Sequence, residues 1–293
     1  MLVWACGSQS PAPPKQGVLL LSLSDGSYRG RADLGQDPLA VSISPDGNEA
    51  YVVDNAQGYV YALSLPNLRV RWSSKVDARP GPIVTQGDQL WVSLYSAGQV
   101  AQLDRHTGDV VNKWAVGPGP GAIVFQQGQP WAASTAGVWL VKGRKQADVH
   151  GFGLASAGGS IWAAAYDPGE VVRVSDGKTV ALPSGLHPFW LSGGSSGNVL
   201  VAAEGDDEDR DLGAVLSLDP PAYEARTLMR ATDPDLVLEA DGKIFVASHG
   251  DRQVDVLTSS GDRVGSWARG AAAVALAVDD ALGLLVVVTD ERE

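Results

Sequence analysis

The sequence offers almost no sulfur chemistry: one cysteine, Cys6, and two methionines in 293 residues. A lone cysteine excludes an intrachain disulfide, and its position ahead of the first patterned segment excludes a thiol nucleophile within the fold. Basic residues are also in deficit, with 22 Lys and Arg against 34 Asp and Glu and a formal net charge of -12. Such a chain repels phosphate backbones, and without a Lys/Arg stripe non-specific nucleic-acid binding lacks its electrostatic source. Anionic membrane surfaces are disfavoured for the same reason. No apolar run approaches the roughly 20 residues of a membrane-spanning helix. A nucleophile elbow, a Walker A loop and a dinucleotide fingerprint in strand-to-helix context are all missing. Gly117-Pro118-Gly119-Pro120-Gly121 superficially looks like a phosphate loop, but its prolines remove backbone donors and it reads as a rigid turn.

What is present is glycine, proline and repetition. Gly 35 and Pro 17, with only 19% charged residues, suit many short strands joined by tight turns rather than long surface helices. One phrase, a small or polar residue followed by Val inside an alternating strand, recurs at Val18, Val60, Val100, Val138, Val171, Val215 and Val254. A second, apolar and often aromatic, recurs around Tyr51, Trp91, Trp131, Trp162, Leu200, Phe245 and Leu285. Both series advance by roughly 40 residues, the period of a four-stranded propeller blade. Repeats shorten between Val138 and Val171, which predicts brief outer strands in the third and fourth units. The glycines of Asp25-Gly26, Thr107-Gly108, Asp176-Gly177 and Ser260-Gly261 fall where hairpins need positive φ.

The first complete unit parses into strands a (39–44), b (50–53), c (59–65) and d (69–75). The chain opens on a c/d pair (17–23, 28–34) and ends on an a/b pair (272–278, 284–289), which are complementary halves of one blade. The expected architecture is therefore all-β: a single seven-bladed propeller over residues 17–293, closed by pairing both ends of the chain so that no blade is left with an open edge. Asp37-Pro38-Leu39-Ala40-Val41-Ser42-Ile43-Ser44-Pro45-Asp46-Gly47, followed by Ala50-Tyr51-Val52-Val53-Asp54-Asn55, resembles the repeat of the YVTN/NHL-like seven-bladed propellers. Related groups include lactonase-like propellers and virginiamycin B lyases. That resemblance implies the fold and leaves the function open, because the architecture hosts lactonases, lyases, dehydrogenases and protein-binding modules.

At the other end of the chain, Leu2-Val3-Trp4-Ala5-Cys6-Gly7 resembles the close of a bacterial lipoprotein signal peptide, with Cys6 as the lipidated residue. Residues 1–16 then read as a lipobox-like remnant and a proline-rich tether. No basic or long apolar segment precedes Cys6, so a chance Ala-Cys pair is the competing reading. A lipid anchor at Cys6 would place the protein in the bacterial cell envelope, outside the cytoplasm, and would be its one contact with a membrane.

In a propeller of this strand order, d-to-a and b-to-c connections share the channel-mouth face, where similar proteins keep their ligands. Of the 4 histidines, His106 falls in a c-to-d turn on the opposite face. His150 and His187 precede the inner strands of blades four and five, and His249 lies in the b-to-c loop of blade six. Imidazole suits both metal ligation and proton transfer near neutral pH. These three are the candidate catalytic residues, against the alternative of separate solvated or hydrogen-bonded loop histidines. Asp37, Asp54, Asp167, Glu204, Asp233 and Asp235 are candidate ligand-binding residues on the same face, with Asp290 and Glu291 beside them. In the long b-to-c loop of blade five, Asp206, Asp207, Asp209 and Asp211 offer hard oxygen donors of the kind calcium or magnesium takes. Their spacing lacks the central Gly and terminal Glu of an EF-hand loop, and a solvated, self-repelling loop is the competing reading.

Blade-periodic Trp91, Trp131 and Trp162 in strands b, and Trp72, Trp114 and Trp267 in strands d, are expected to pack between blades. Trp190 breaks the series, so core packing and approach to the channel both stay open for it. Two functions follow. One is an envelope-anchored or secreted module that binds a protein or carbohydrate partner across its channel-mouth face, with no certain cofactor. The other is a divalent-metal-dependent lactonase-like or lyase-like enzyme, in which His150, His187 and His249 with Asp233 or Glu204 hold the ion. A quinone-dependent dehydrogenase is disfavoured, because propellers of that kind carry eight blades.

Overall fold

The computed structural model describes residues 16–76, 79–206 and 212–291. Cys6, the tether and Asp207, Asp209 and Asp211 lie outside the described residues. Seven four-stranded antiparallel sheets account for nearly all regular structure, and a three-residue turn at Tyr95–Ala97 is the one helix among the described residues. Blade one runs Pro38–Ile43, Glu49–Asp54, Tyr59–Ser64 and Arg69–Lys75, within one residue of the sequence reading at most boundaries. Glycines at the four c-to-d turns adopt φ of 72°, 78°, 71° and 98° at Gly26, Gly108, Gly177 and Gly261. These are values that L side chains rarely adopt.

The seven innermost strands contact one another in an unbroken circuit, from Pro38–Ile43 through Pro80–Gln86, Pro120–Gln126, Leu154–Ala157, Leu186–Gly193 and Pro234–Ala240 to Ala273–Asp279 and back. The sheets therefore stand radially around a channel lined by strands a, and the chain is a seven-bladed propeller. Blade seven is the composite: Gln16–Ser22 zips antiparallel onto Leu284–Asp290, with Val18 opposite Val288 and Leu21 opposite Leu285. Val18, Leu20, Val286 and Val288 are fully buried there, each contributing roughly 1.5–3 kcal/mol of apolar transfer. Blades three and four end in outer strands of only three residues, Lys145–Ala147 and Thr179–Ala181.

The strand-b tryptophans fill the wedges between blades: Trp162 is fully buried and Trp91 stacks on Trp114 at 5.2 Å. Trp72 stacks on Tyr51 and Trp267 packs against Phe245. Trp131 is only half-buried, because the short outer strand of blade three carries no partner equivalent to Trp114. His187 differs from expectation. It lies inside strand a of blade five rather than ahead of it, because the strand starts at buried Leu186 and pairs His187 with Glu204.

Candidate functional site

One local device builds the channel wall. In six of the seven blades the inner strand slips register just after it starts. A β-bulge of this kind re-aims the unpaired residue. Four of these strands begin with proline: Pro38, Pro80, Pro120 and Pro234. Proline is tolerated at the first position of a strand, where no ladder donor is required. The skipped residues include Leu39, Pro82, Phe189, Asp235 and Val274, and all five line the channel cavity, whose volume is about 300 Å³. Four are apolar. Asp235 is the one charged side chain among the described residues lining that cavity.

Aromatic groups complete the wall. Phe152, from the connection into blade four, stacks on Phe189 at 5.2 Å with planes 4° apart, and Trp190 lies 6.2 Å from Phe152. Trp190 lines the channel and also packs against the cores of its neighbours. Room for Phe152 comes from Gly121, where a Cβ would sit 2.4 Å from the Phe152 carbonyl oxygen and 2.8 Å from its ring.

Above Asp235 sits a carboxylate-rich rim. The His249 backbone N–H donates to Asp235 Oδ2 at 3.1 Å and to the Asp233 carbonyl at 3.1 Å. The His249 ring approaches Asp233 Oδ2 at 3.8 Å through Nδ1. Burial pushes the Asp235 carboxyl well above the usual carboxylate range; the charges of Asp233 and Glu204 add to this and the His249 side opposes it. His249 is raised by its interaction with Asp233 and by the charges of Asp235 and Asp290, against an opposing burial effect. Asp233 holds a left-handed φ of 50° immediately before Pro234, a conformation in which Asp is among the tolerated residues.

The remaining candidates are brought into different arrangements. His187 donates Nδ1 to the Tyr166 carbonyl at 2.9 Å and Nε2 to Asp206 Oδ1 at 3.0 Å, with Asp167 at 3.5 Å. Carbonyl and carboxylate oxygens only accept, so this setting favours the doubly protonated ring. Its pKa is raised accordingly, first by Asp206 and then by the Tyr166 carbonyl. His150, exposed, reaches the Thr135 carbonyl at 2.9 Å. Each of these two histidines ties the start of one blade to the b-to-c loop of the blade before it. Asp54, 1% exposed, accepts the backbone amides of Gln36, Asp37 and Gln57 and so holds a loop together. Asp37 is also buried. Glu204 accepts from the Tyr166 hydroxyl at 2.7 Å, and Asp167 stands 87% exposed at the rim. His106, on the far face, lies 3.4 Å from Asp88.

Among the described residues no three His, Cys, Asp or Glu side chains gather as a metal-holding set. With both nitrogens of His187 committed to acceptors, the described donors do not fit one shared divalent ion. Sequence reasoning named Asp233, Asp235 and His249 but overlooked Tyr166, Phe152 and Phe189. A signal for Phe189 was there to read. Aligning Pro38-Leu39, Pro188-Phe189 and Pro234-Asp235 at strand starts would have marked the channel position, and with it the one acidic residue in an apolar series.

No family model matches the chain, and no curated protein matches it. Solved structures do share its fold. A streptogramin B lyase superposes with a TM-score of 0.70 at 13% identity, covering 92% of this chain and 97% of that one. The periplasmic gluconolactonase of Pseudomonas aeruginosa gives 0.67 at 18% identity, over 87% of this chain and 96% of that one. BamB from Moraxella catarrhalis gives 0.57 at 18% identity, over 96% and 94%. At these identities the likeness is one of architecture: the ring is what is shared.

Proposed function

We propose that the chain is an extracytoplasmic binding propeller that takes a protein partner through its channel-mouth face by presenting carboxylates to a basic surface. The observation that carries this reading is the rim itself. Asp167, Asp206 and Asp233, the exposed carboxylates, come from three successive blades, and the histidines among them are paired with carboxylates and carbonyls. A potential of one sign over a concave face steers partners of the opposite charge. An extracytoplasmic setting agrees with the lipoprotein-like N-terminus and with the envelope proteins among the structures of like fold. A carbohydrate is the competing partner, and the charge at the rim favours protein.

The test places a photo-crosslinking amino acid at Asp167 on the mouth face and, separately, at Asp280 on the far face, in cells producing the full chain. Adducts with a defined basic partner from position 167, weakened by salt and absent from position 280, are expected. Equal adducts from both positions would refute the reading. So would enzyme-like turnover of lactones by the purified protein, which would favour the lactonase-like or lyase-like alternative.

A further inference from the structure

We infer that the central channel is a binding site for a small organic ammonium ion, with the cationic head on Asp235 and an aromatic or aliphatic body against the Phe152, Phe189 and Trp190 rings. This site is separate from the rim that meets a protein partner, and it stands whether or not that partner exists.

Three independent observations converge. First, the cavity is closed on its sides by apolar inner strands and measures about 300 Å³. That is the lower end of the range for ligand pockets, about 300–1,000 Å³, and too small for a folded segment. Second, three aromatic residues line it: Phe152 and Phe189, stacked on one another, with Trp190 adjoining. The negative face of an aromatic ring attracts a desolvated cation. Third, a bulge delivers a carboxyl group at the one position where other blades deliver Leu, Pro, Phe or Val. A carboxylate set in apolar walls is costly without a counter-ion. The charges that bear on it include Asp233 and Glu204, both acidic, and His249, which opposes them.

Charge decides the sign of the occupant. An anion would meet Asp233, Asp235 and Glu204 together, and a neutral molecule would leave the carboxyl group without its counter-ion. An ammonium group supplies that ion where the low dielectric strengthens the pair. Burial favours the protonated carboxyl of Asp235 and an ammonium ion favours the ionised one, so the cation lowers the pKa that burial raises: any proton released leaves to solvent, and the ammonium N–H donates to the carboxylate.

Calorimetry on the purified chain tests this with three probes of one shape: 2-phenylethylamine, 2-phenylethanol and phenylacetate. At neutral pH the amine is expected to bind at least about tenfold more tightly than the alcohol, with phenylacetate weakest, a spacing of one decade or more in Kd. In Asp235→Asn the preference for amine over alcohol should vanish, while Asp167→Asn, on the rim, should keep it. Equal affinity for amine and alcohol, or absence of amine binding, would each overturn the inference. The comparison of amine with alcohol needs only the unaltered chain, so it decides the matter without the Asp235 variant. Loss of crosslinks at the rim would leave these results untouched.

Discussion

At the scale of single residues, the channel carboxyl and the two latching histidines show how this chain assigns roles by environment. Asp54 ends a second strand and Asp235 opens an inner one, both near the mouth, yet Asp54 is satisfied by three backbone amides and serves the loop. Asp235 has one amide and apolar walls. A stability consequence follows. Burial raises its native pKa above the ordinary carboxylate value of 3.8, so between the two values the native state keeps a proton that the unfolded chain has lost. Its contribution is fully present in acid and falls away as pH rises through the native pKa. Asp235→Asn removes the ionisation while retaining an acceptor for the His249 amide. Thermal unfolding at pH 8 should show the variant more stable than the parent, with the gap closing toward about pH 4. A variant less stable than the parent at pH 8 would contradict the assignment. His187 has the same raised sign: its ion pair with Asp206 favours the fold below about pH 6.5 and fades above the native pKa.

The strand is the scale at which sequence and structure part company. Blade period, strand boundaries and hairpin turns were all legible, because each rests on local chemistry: alternation, β-branched residues and glycine at positive φ. The bulges were not. A register slip depends on how strand a meets strand b and on the proline that precedes it, and an alternating pattern continues through the slip with no change in composition. Asp235 could therefore be placed on the right face without being placed in the channel. Phe152 was hidden for another reason, since it reaches the wall from a connection that carries no periodicity. Its fit depends on Gly121 in the neighbouring inner strand. Gly121→Ala would drive a methyl group into the Phe152 backbone and ring, at a cost of about 1–3 kcal/mol. The expected result is a lower denaturant midpoint together with weaker amine binding. Gly128→Ala tests the opposite case: its Cβ would meet open space, and its strain is limited to a φ of 73°. It should leave amine binding unchanged.

For the molecule as a whole, the decisive contact is the seam. Leu20 is fully buried in the core shared by blade seven and blade one, so Leu20→Ala should cost about 2–5 kcal/mol. Because the lesion lies where the circle is joined, hydrogen exchange should report the loss first in residues 16–33 and 284–290. Uniform loosening of all blades would argue that the join is no weaker than any other interface. Pairing the opening strand with the closing one also fixes an order of events during synthesis. The strand carrying Val18 emerges early and must wait, with its apolar side chains uncovered, until the segment around Val288 has been made and delivered. Every newly made copy thus passes through an interval as an incomplete circle with sticky lips.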